Sequence, residues 1–305
     1  MSGGGSKYFS DSDAKTAIER LRDAEESTAR VRLDSEVSTL IGEILKDYNE
    51  RRPNIGGHLE SIKAALEKEI EGSIELRFGG SISKHTYVDG LSDVDSLVII
   101  NNCELAEAPP NEAKHYFAER LRERFPNSDI REGDLAVTVS FRDVNIQLIP
   151  TIKCEGSVKM SNSSGDAWTN VNPQKFAEKL TKVNERMNGK LVPMIKIAKG
   201  MNSELPDKQR LKSYHLESIA IEIFKKYEGK VTTKKMLQHF FSEAPKVVMN
   251  NIKDNTGQTI HVDDYLGVPE SSDRRLVANA LGRLGRKMVS ADFTNSLEQW
   301  NEILN

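Results

Sequence analysis

Two short motifs in the first third of the chain carry residues suited to phosphate and metal chemistry. Gly80 and Ser81 form a turn, and Asp93-Val94-Asp95 follows about a dozen residues later. In a β-strand, residues i and i+2 lie on the same face, so Asp93 and Asp95 project together while Val94 turns towards the core. Carboxylate oxygens are the ligands that Mg²⁺ prefers. The pattern predicts a divalent cation held by Asp93 and Asp95.

The Gly80-Ser81 turn is suited to binding phosphate. A glycine leaves backbone N–H groups open to phosphate oxygens with no Cβ in the way, and Ser81 adds a hydroxyl. Mg²⁺ is commonly shared between carboxylates and substrate phosphates, and two such ions serve in-line phosphoryl transfer. Each motif alone is more often a plain loop or strand end. Their order, spacing and strand context together favour a Mg-triphosphate site.

Strands must position both motifs. Ile74, Leu76 and Phe78 alternate with polar residues, which predicts a half-buried strand that runs into the Gly80 turn. A second strand, over residues 93–100, begins polar and ends in an unbroken apolar run, so its front lies at a sheet edge and its back in the core. Segments 136–141 and 144–150 are separated by two residues, which predicts a hairpin.

The remaining chain has the pattern of helices. Residues 12–69 have apolar residues at helical spacing, interrupted at Pro53 and at Gly56-Gly57. Pro109-Pro110 is typical of a helix start. Beyond a Ser/Asn/Gly linker at 161–166 the sequence is mainly helical. The predicted helices cover residues 110–124, 173–187, 191–201, 211–226, 232–241 and 271–304.

Composition narrows the class of protein. The 305 residues include 43 Lys and Arg against 46 Asp and Glu, a formal charge of −3, so we expect no stable binding to duplex DNA or RNA. The two cysteines form no CxxC pair, which argues against a zinc site or a disulfide scaffold. No stretch resembles a signal peptide or a membrane span, so we expect a cytoplasmic protein without membrane attachment.

The motifs resemble those of a known group of enzymes. Gly80-Ser-Ile-Ser-Lys-His-Thr86, followed by Gly90-Leu-Ser-Asp-Val-Asp-Ser-Leu-Val-Ile-Ile100, resembles the signature of the DNA polymerase β-type nucleotidyltransferases, as found in 2′-5′-oligoadenylate synthetases, cyclic GMP-AMP synthase and the bacterial CD-NTases. Within that group, Val137-Thr-Val-Ser-Phe-Arg142 before a strand ending in Pro150 looks most like the cyclic-oligonucleotide synthases of CBASS anti-phage defence. The resemblance covers residues 74–223.

The resemblance implies a bilobal α+β fold, with a polymerase β-like lobe containing a mixed sheet and a C-terminal helical lobe. We expect a disordered N-terminus at 1–11, a nucleotidyltransferase domain with N-terminal bracing helices at 12–160, and a helical domain at 161–305. By resemblance, Lys199 and Ser213 contact the triphosphate from the helical lobe. The alternatives are a solvated helix edge for Lys199 and a helix N-cap for Ser213.

One position departs from the resemblance. The third carboxylate of the group would stand three residues before Pro150, where this chain has Gln147. Asp143, Asn145 and Gln147 share a predicted strand face. An amide oxygen ligates Mg²⁺ but brings no charge. With Asp93, Asp95, Asn145 and Gln147 as the catalytic residues, we therefore expect binding of the Mg-nucleotide to be affected less than the rate of catalysis. Three explanations remain open. The chain is an engineered or naturally inactivated variant, or a different strand register brings Asp143 into the metal site. Alternatively, two aspartates and the substrate phosphates suffice for slow catalysis.

The expected activity is transfer of a nucleotidyl group from ATP or another nucleoside triphosphate, with Mg²⁺ or Mn²⁺, to form a cyclic di- or trinucleotide second messenger. The resemblance also implies an accessory activator protein and a separate effector that reads the product. One alternative is a nucleotide-binding pseudoenzyme, which the amides at 145 and 147 suggest. Another is a template-independent transferase that acts on a macromolecule, although the net acidity disfavours the basic path it would need.

Two basic groups lie outside these motifs. Lys225, Lys226, Lys230, Lys234 and Lys235 form one. The other, in the last helical region, consists of Arg274, Arg275, Arg283 and Arg286. Both are expected to be solvated helix surfaces, since charge runs of this kind usually are.

Overall fold

A computed structural model describes residues 11–50, 54–67, 73–78, 84–88, 94–101, 105, 107–154, 157–162, 165–252 and 263–305. A seven-stranded mixed sheet is formed between residues 73 and 171. Its strands are β1 (Ser73–Phe78), β2 (Val94–Asn101), β3 (Asp129–Glu132), β4 (Val137–Ser140), β5 (Asn145–Cys154), β6 (Ser157–Ser161) and β7 (Trp168–Val171). None of the described helices is long and apolar enough to cross a membrane.

The long strand β5 organises the sheet. The strand order is β1-β2-β5-β4-β3, and β6 joins the far end of β5 to β7. β5 runs parallel to β2 and antiparallel to both β4 and β6. The predicted hairpin of β4 and β5 and the strand β2 are therefore confirmed. β7 still pairs with the sheet beyond residue 161, and the proposed domain division at 160 and 161 stays a prediction.

Two helices cover one face of the sheet: α2 (Ile55–Glu67) and α3 (Pro110–Arg124). Phe117 and Leu121, four residues apart on α3, are fully buried, as are Ile62 and Leu66 of α2. They pack with the inward residues of β2, β4 and β5 in one apolar core. Residues three and four apart share a helix face, so this spacing lets each helix close the sheet with one side.

The second core is helical. It is built by α1 (Asp11–Glu50), α4 (Pro173–Arg186), α5 (Leu191–Ser203), α6 (Ser213–Phe224), α7 (Thr233–Val247), α8 (Ser272–Phe293) and α9 (Leu297–Leu304). From α1 it takes Leu33, Val37, Ile41 and Ile44, a stripe at helical spacing. Between residues 15 and 32, α1 is almost wholly exposed. Thus α1 packs into the helical core, whereas α2 packs into the core that covers the sheet.

One predicted surface group contains an internal residue. The Lys234 ammonium is buried and lies 2.5 Å from Asp34 of α1 and 2.7 Å from Asp292 of α8. It also stands over the ring of Trp300. Lys235 contacts Asp292 as well. The expectation of a solvated lysine run is wrong at Lys234, because two carboxylates from separate helices compensate its buried charge and tie α1 to the helical core.

The second basic group also contains a buried member. Arg274 is fully buried and lies 2.6 Å from the equally buried Asp263 carboxylate. Its guanidinium also donates to the carbonyls of Val248, Asn250 and Gly267. The expectation of an exposed basic face is therefore wrong at Arg274. This one side chain satisfies backbone carbonyls on both sides of the 253–262 segment, which lies outside the described residues.

Several element boundaries differ from the predicted ones. Gly56 and Gly57 do not interrupt a helix but lie in the first turn of α2. The helix predicted at 232–241 continues through Pro245 to Val247. The one predicted at 271–304 is divided, because Asn295 adopts φ 48° and Ser296 caps α9. The short strands β3, β6 and β7 were not predicted.

Candidate active site

The strand register places Asp95 directly beside Gln147. β2 and β5 run parallel, with Asp95 paired to Gln147 and Val94 paired to Ile146. Across β5, Thr138 of β4 pairs with Gln147. Paired residues on adjacent strands project from the same face. Asp95, Gln147 and Thr138 therefore form one polar row across three strands.

The neighbouring row faces the opposite way. Val94, Ile146 and Val139 are in register with one another and fully buried under α2 and α3. Because side chains alternate along each strand, the polar row must lie on the face that these helices leave uncovered. Asp95 and Gln147 are both part-exposed, as this requires. The predicted alternation, with Val94 inward and Asp95 outward, is what positions the carboxylate.

Three of the eight predicted site residues lie outside the described residues. These are Gly80, Ser81 and Asp93, so their roles stay predictions. Asn145 is the first residue of β5 and pairs with Ser140. The register thus brings together Asp95 and Gln147, with Asn145 two residues further along the same strand face.

Asp143 is engaged elsewhere. Its carboxylate lies 2.7 Å from His58 Nε2 and accepts the backbone N–H of Asn54 at 3.1 Å. Partial burial raises the pKa of Asp143, but the hydrogen bonds from His58 and Asn54 outweigh it and lower the pKa below its usual value. His58 in turn stacks on Phe141. Asp143 therefore anchors the start of α2, so the arrangement in which it swings towards the metal has no support in this structure.

A buried charge cluster stands between the two lobes. Glu217 of α6 forms ion pairs with Lys199 of α5, at 2.8 Å, and with Lys84, which follows Gly80 and Ser81 in the sequence. The Thr86 hydroxyl donates to the same carboxylate at 2.5 Å. Lys199 also donates to the Thr86 carbonyl at 3.0 Å. The cluster links the segment between the two sequence motifs to the helical core.

Burial and the ion pairs have opposite effects on the pKa values of this cluster. Burial opposes ionisation of Glu217, but Lys84 and Lys199 outweigh it and lower the Glu217 pKa to about 2. Burial is the largest cause and lowers the pKa of Lys199 below its usual value, although the attraction of Glu217 and, more weakly, of Asp95 opposes this shift. Lys199 is therefore not the solvated helix edge of the alternative interpretation. It lies within electrostatic reach of Asp95, on the helical side of the candidate site.

Ser213 is the first residue of α6 and is exposed. The N-cap position belongs to Lys212, which makes no side-chain capping bond, so the alternative of Ser213 as N-cap is wrong. Four residues further along the same helix stands Glu217. Ser213 and Glu217 thus share one helix face, which places the exposed hydroxyl on the side of α6 that carries the buried cluster. The phosphate contact of Ser213 stays a prediction.

Sequence reasoning missed Lys84, Thr86 and Glu217 as a unit. Glu217 stands in the helical run Leu216-Glu-Ser-Ile-Ala-Ile221, whose members are all buried. A carboxylate within such a run requires a partner, because an unpaired buried charge is very costly. That signal indicates a buried ion pair, but the sequence does not say which lysines supply it.

A second group of potential metal ligands lies away from this site. His115 and Glu119 of α3 approach Glu132 of β3, and all three are exposed or part-exposed. Arg122 contacts Glu119 at 2.6 Å and Glu132 at 3.1 Å. Because that guanidinium already neutralises both carboxylates, the group is a surface ion-pair network.

The donor chemistry at the polar row fits a hard divalent cation. Asp95 supplies a carboxylate, and Gln147 and Asn145 supply amide oxygens, all of which ligate Mg²⁺. Lys199 adds positive potential nearby, suited to the phosphates that would share the ion. In such a site Mg²⁺ supplies charge stabilisation for phosphoryl transfer. The single described carboxylate on this row makes its charge lower than that of a three-carboxylate site.

This chain is similar to known proteins in its fold but not detectably in its sequence. No model of a known protein family matches this chain, and neither does any curated protein. Solved structures do match. A chain of the E. coli MS115-1 CdnC:HORMA-deltaN complex superimposes with a TM-score of 0.64 at 16% identity, covering 85% of this chain and 91% of that one. The chain has the fold of the bacterial CD-NTases.

Two further CD-NTase structures cover nearly the whole chain. Escherichia coli DncV in its 3′-deoxy GTP bound form matches with a TM-score of 0.63 at 10% identity. Vibrio cholerae DncV, a cyclic AMP-GMP synthase solved with a linear intermediate, matches with a TM-score of 0.62 at 12% identity. Each alignment covers 97% of this chain and 90% of the DncV chain. The predicted CD-NTase fold, a mixed-sheet lobe with a helical lobe, is confirmed.

Proposed function

We propose that this chain is a nucleotidyltransferase that binds a nucleoside triphosphate with Mg²⁺ and joins nucleotides into a cyclic di- or trinucleotide. The observation that carries the proposal is the polar row on the open face of the sheet, with Asp95 of β2 in register with Gln147 of β5. The CD-NTase fold supports it, since structural neighbours are cyclic-dinucleotide synthases by description. Asp93 and Asp95 would hold the metal.

The remaining residues have supporting roles in this proposal. Gly80 and Ser81 would bind the phosphates through backbone N–H groups and a hydroxyl. Lys199 and Ser213 would approach the triphosphate from the helical lobe. Gln147 and Asn145 would complete the oxygen ligands. We further propose ATP among the substrates, a role in CBASS defence in the cytoplasm, an activator protein, and a separate effector for the product. One neighbour is solved with a HORMA protein, which supports the proposal of an activator.

The amides favour a second candidate function. Because neither Asn145 nor Gln147 brings a charge to the row, the ion that activates an acceptor hydroxyl would be held weakly. A nucleotide-binding pseudoenzyme keeps the fold and the triphosphate site but not the turnover. It differs from the enzyme in one measurable property, the release of pyrophosphate.

The test is incubation of the purified chain with all four ribonucleoside triphosphates and Mg²⁺ or Mn²⁺. Products are treated with phosphatase and separated by chromatography. A phosphatase-resistant product that is absent with Asp95→Asn would support the synthase. Retained Mg-ATP binding without product, even in Gln147→Glu, would support the pseudoenzyme. Absence of Mg-dependent ATP binding would contradict both.

A further inference from the structure

The buried Glu217 carboxylate connects three parts of the chain: α6, α5 and the 84–88 segment. It lies on α6 with 1% of its side chain exposed, and its two lysine partners are nearly as enclosed. Lys199 reaches it from α5, and Lys84 and Thr86 reach it from the 84–88 segment. A buried carboxylate of this kind is stable only while its cationic partners remain in place.

The cluster fixes a segment that matters for the proposed site. Residues 84–88 lie, in sequence, between Gly80-Ser81 and Asp95. Thr86 is held twice, because its hydroxyl donates to Glu217 and its carbonyl accepts from Lys199. Lys84 is also packed above the rings of Phe176 and Tyr214, at 4.6 and 5.4 Å. The segment that joins the predicted phosphate turn to the metal carboxylate is therefore fastened to the helical lobe.

Glu217 also determines where the Lys199 ammonium lies. The Lys199 Nζ has three N–H donors, and it lies within hydrogen-bonding reach of Glu217 and of both oxygens of Thr86. Its charge is within electrostatic reach of Asp95. If Glu217 loses its charge, two buried ammonium groups remain without an anion between them, and like charges at close range repel.

We propose that Glu217 is a positioning residue for triphosphate binding, which holds Lys84, Thr86 and Lys199 in the arrangement that the nucleotide requires. This inference rests on the proposed function. Glu217 does not touch the substrate itself. It acts through Lys199 and through the 84–88 segment, and its effect is therefore on affinity for the nucleotide.

The first variant is Glu217→Gln, which keeps the size of the side chain and removes its charge. Calorimetric titration with Mg-ATP should give a dissociation constant at least tenfold higher than that of the wild type, measured where both proteins are folded. Any turnover should show the change in KM more than in kcat. The matched control is Glu222→Gln on the same helix, whose partly exposed carboxylate pairs with Lys225. Its affinity should equal that of the wild type.

A double-variant cycle separates positioning from general damage. If Glu217 acts through Lys199, then Glu217→Gln should weaken binding much less in a Lys199→Met background than in the wild type. Additive losses in the cycle would refute the route through Lys199, and wild-type affinity in Glu217→Gln, even with a lower melting temperature, would overturn the whole proposal. Should Glu217→Gln not fold, Thr86→Val removes the hydroxyl and keeps every charge. It should raise the dissociation constant several-fold, and an unchanged value would overturn the proposal.

Titration of the wild type with Mg-ATP distinguishes failure of the positioning role of Glu217 from failure of the proposed function. Mg-ATP binding by the wild type with no effect of Glu217→Gln would refute the positioning role alone. No Mg-ATP binding by the wild type would refute the proposed function and the positioning role with it.

Discussion

Asp95 of β2 lies in register with Gln147 of β5, on parallel strands at the centre of the sheet. The pair sets a carboxylate beside an amide where a site of higher charge would have two carboxylates. A neutral oxygen ligand holds Mg²⁺ less strongly than a charged one. We therefore expect the affinity for the nucleotide and the catalytic rate to depend on this pair to different extents. Single substitutions can test each of them.

Restoring charge at position 147 should increase turnover. Gln147→Glu keeps the length of the side chain and adds a carboxylate next to Asp95, which should raise pyrophosphate release about tenfold or more. The control is the same change in an Asp95→Asn background, where the gain should vanish if the two groups act on one ion. An equal rate for Gln147→Glu and wild type would show that the native amide is sufficient.

Arg274 should be among the most sensitive positions of the helical lobe. Arg274→Met leaves the buried Asp263 carboxylate without its partner and several carbonyls without a donor, so the free energy of unfolding should fall by roughly 3 to 5 kcal/mol. The neighbouring Arg275 is exposed, and Arg275→Met should cost less than about 1 kcal/mol. Urea unfolding of both variants measures the difference, and similar losses would refute the structural role of Arg274.

Two glycines of α8 should respond oppositely to alanine. A Cβ on Gly285 would lie 2.8 Å from the Phe241 carbonyl oxygen, at the close crossing of α7 and α8, so Gly285→Ala should destabilise by roughly 1 to 3 kcal/mol. A Cβ on Gly282 meets the flexible end of Arg286 at 3.4 Å and Pro245 Cγ at 3.7 Å, which is an ordinary van der Waals distance. Gly282→Ala should be neutral or should stabilise by up to about 1 kcal/mol, because alanine favours the helix. Thermal melts in parallel would reveal any reversal of this order.

Stability should decrease in acid because of Glu217 and Asp292. Burial raises the pKa of each group, but paired lysines outweigh it and lower both values to about 2. Such a carboxylate stabilises the fold above its unfolded pKa, and this contribution is lost as pH falls from about 4.5 towards 2. Urea unfolding across this range should give a steep dependence for the wild type and a flatter one for Glu217→Gln; equal slopes would contradict the assignment.

The sequence predicted those parts of the fold that local patterns encode. Alternation along residues 93–100 correctly separates Val94 from Asp95, and the spacing of Phe117 and Leu121 correctly gives the buried face of α3. Interactions between distant segments could not be predicted this way. Lys234 and Arg274 have the local pattern of exposed residues, and only their contacts with Asp34, Asp292 and Asp263 account for their burial. The same holds for Lys84 and Glu217, which are 133 residues apart.

Asp95 should belong to a metal-triphosphate site, and calorimetric titration of ATP with and without Mg²⁺ tests this role most directly. The wild type should bind ATP at least tenfold more tightly with Mg²⁺ than without it. Asp95→Asn, an isosteric change at a part-exposed position, should keep its melting temperature and lose that dependence on Mg²⁺. Equal ATP affinity with and without Mg²⁺ in the wild type, or an unchanged Mg²⁺ effect in Asp95→Asn, would contradict the claim.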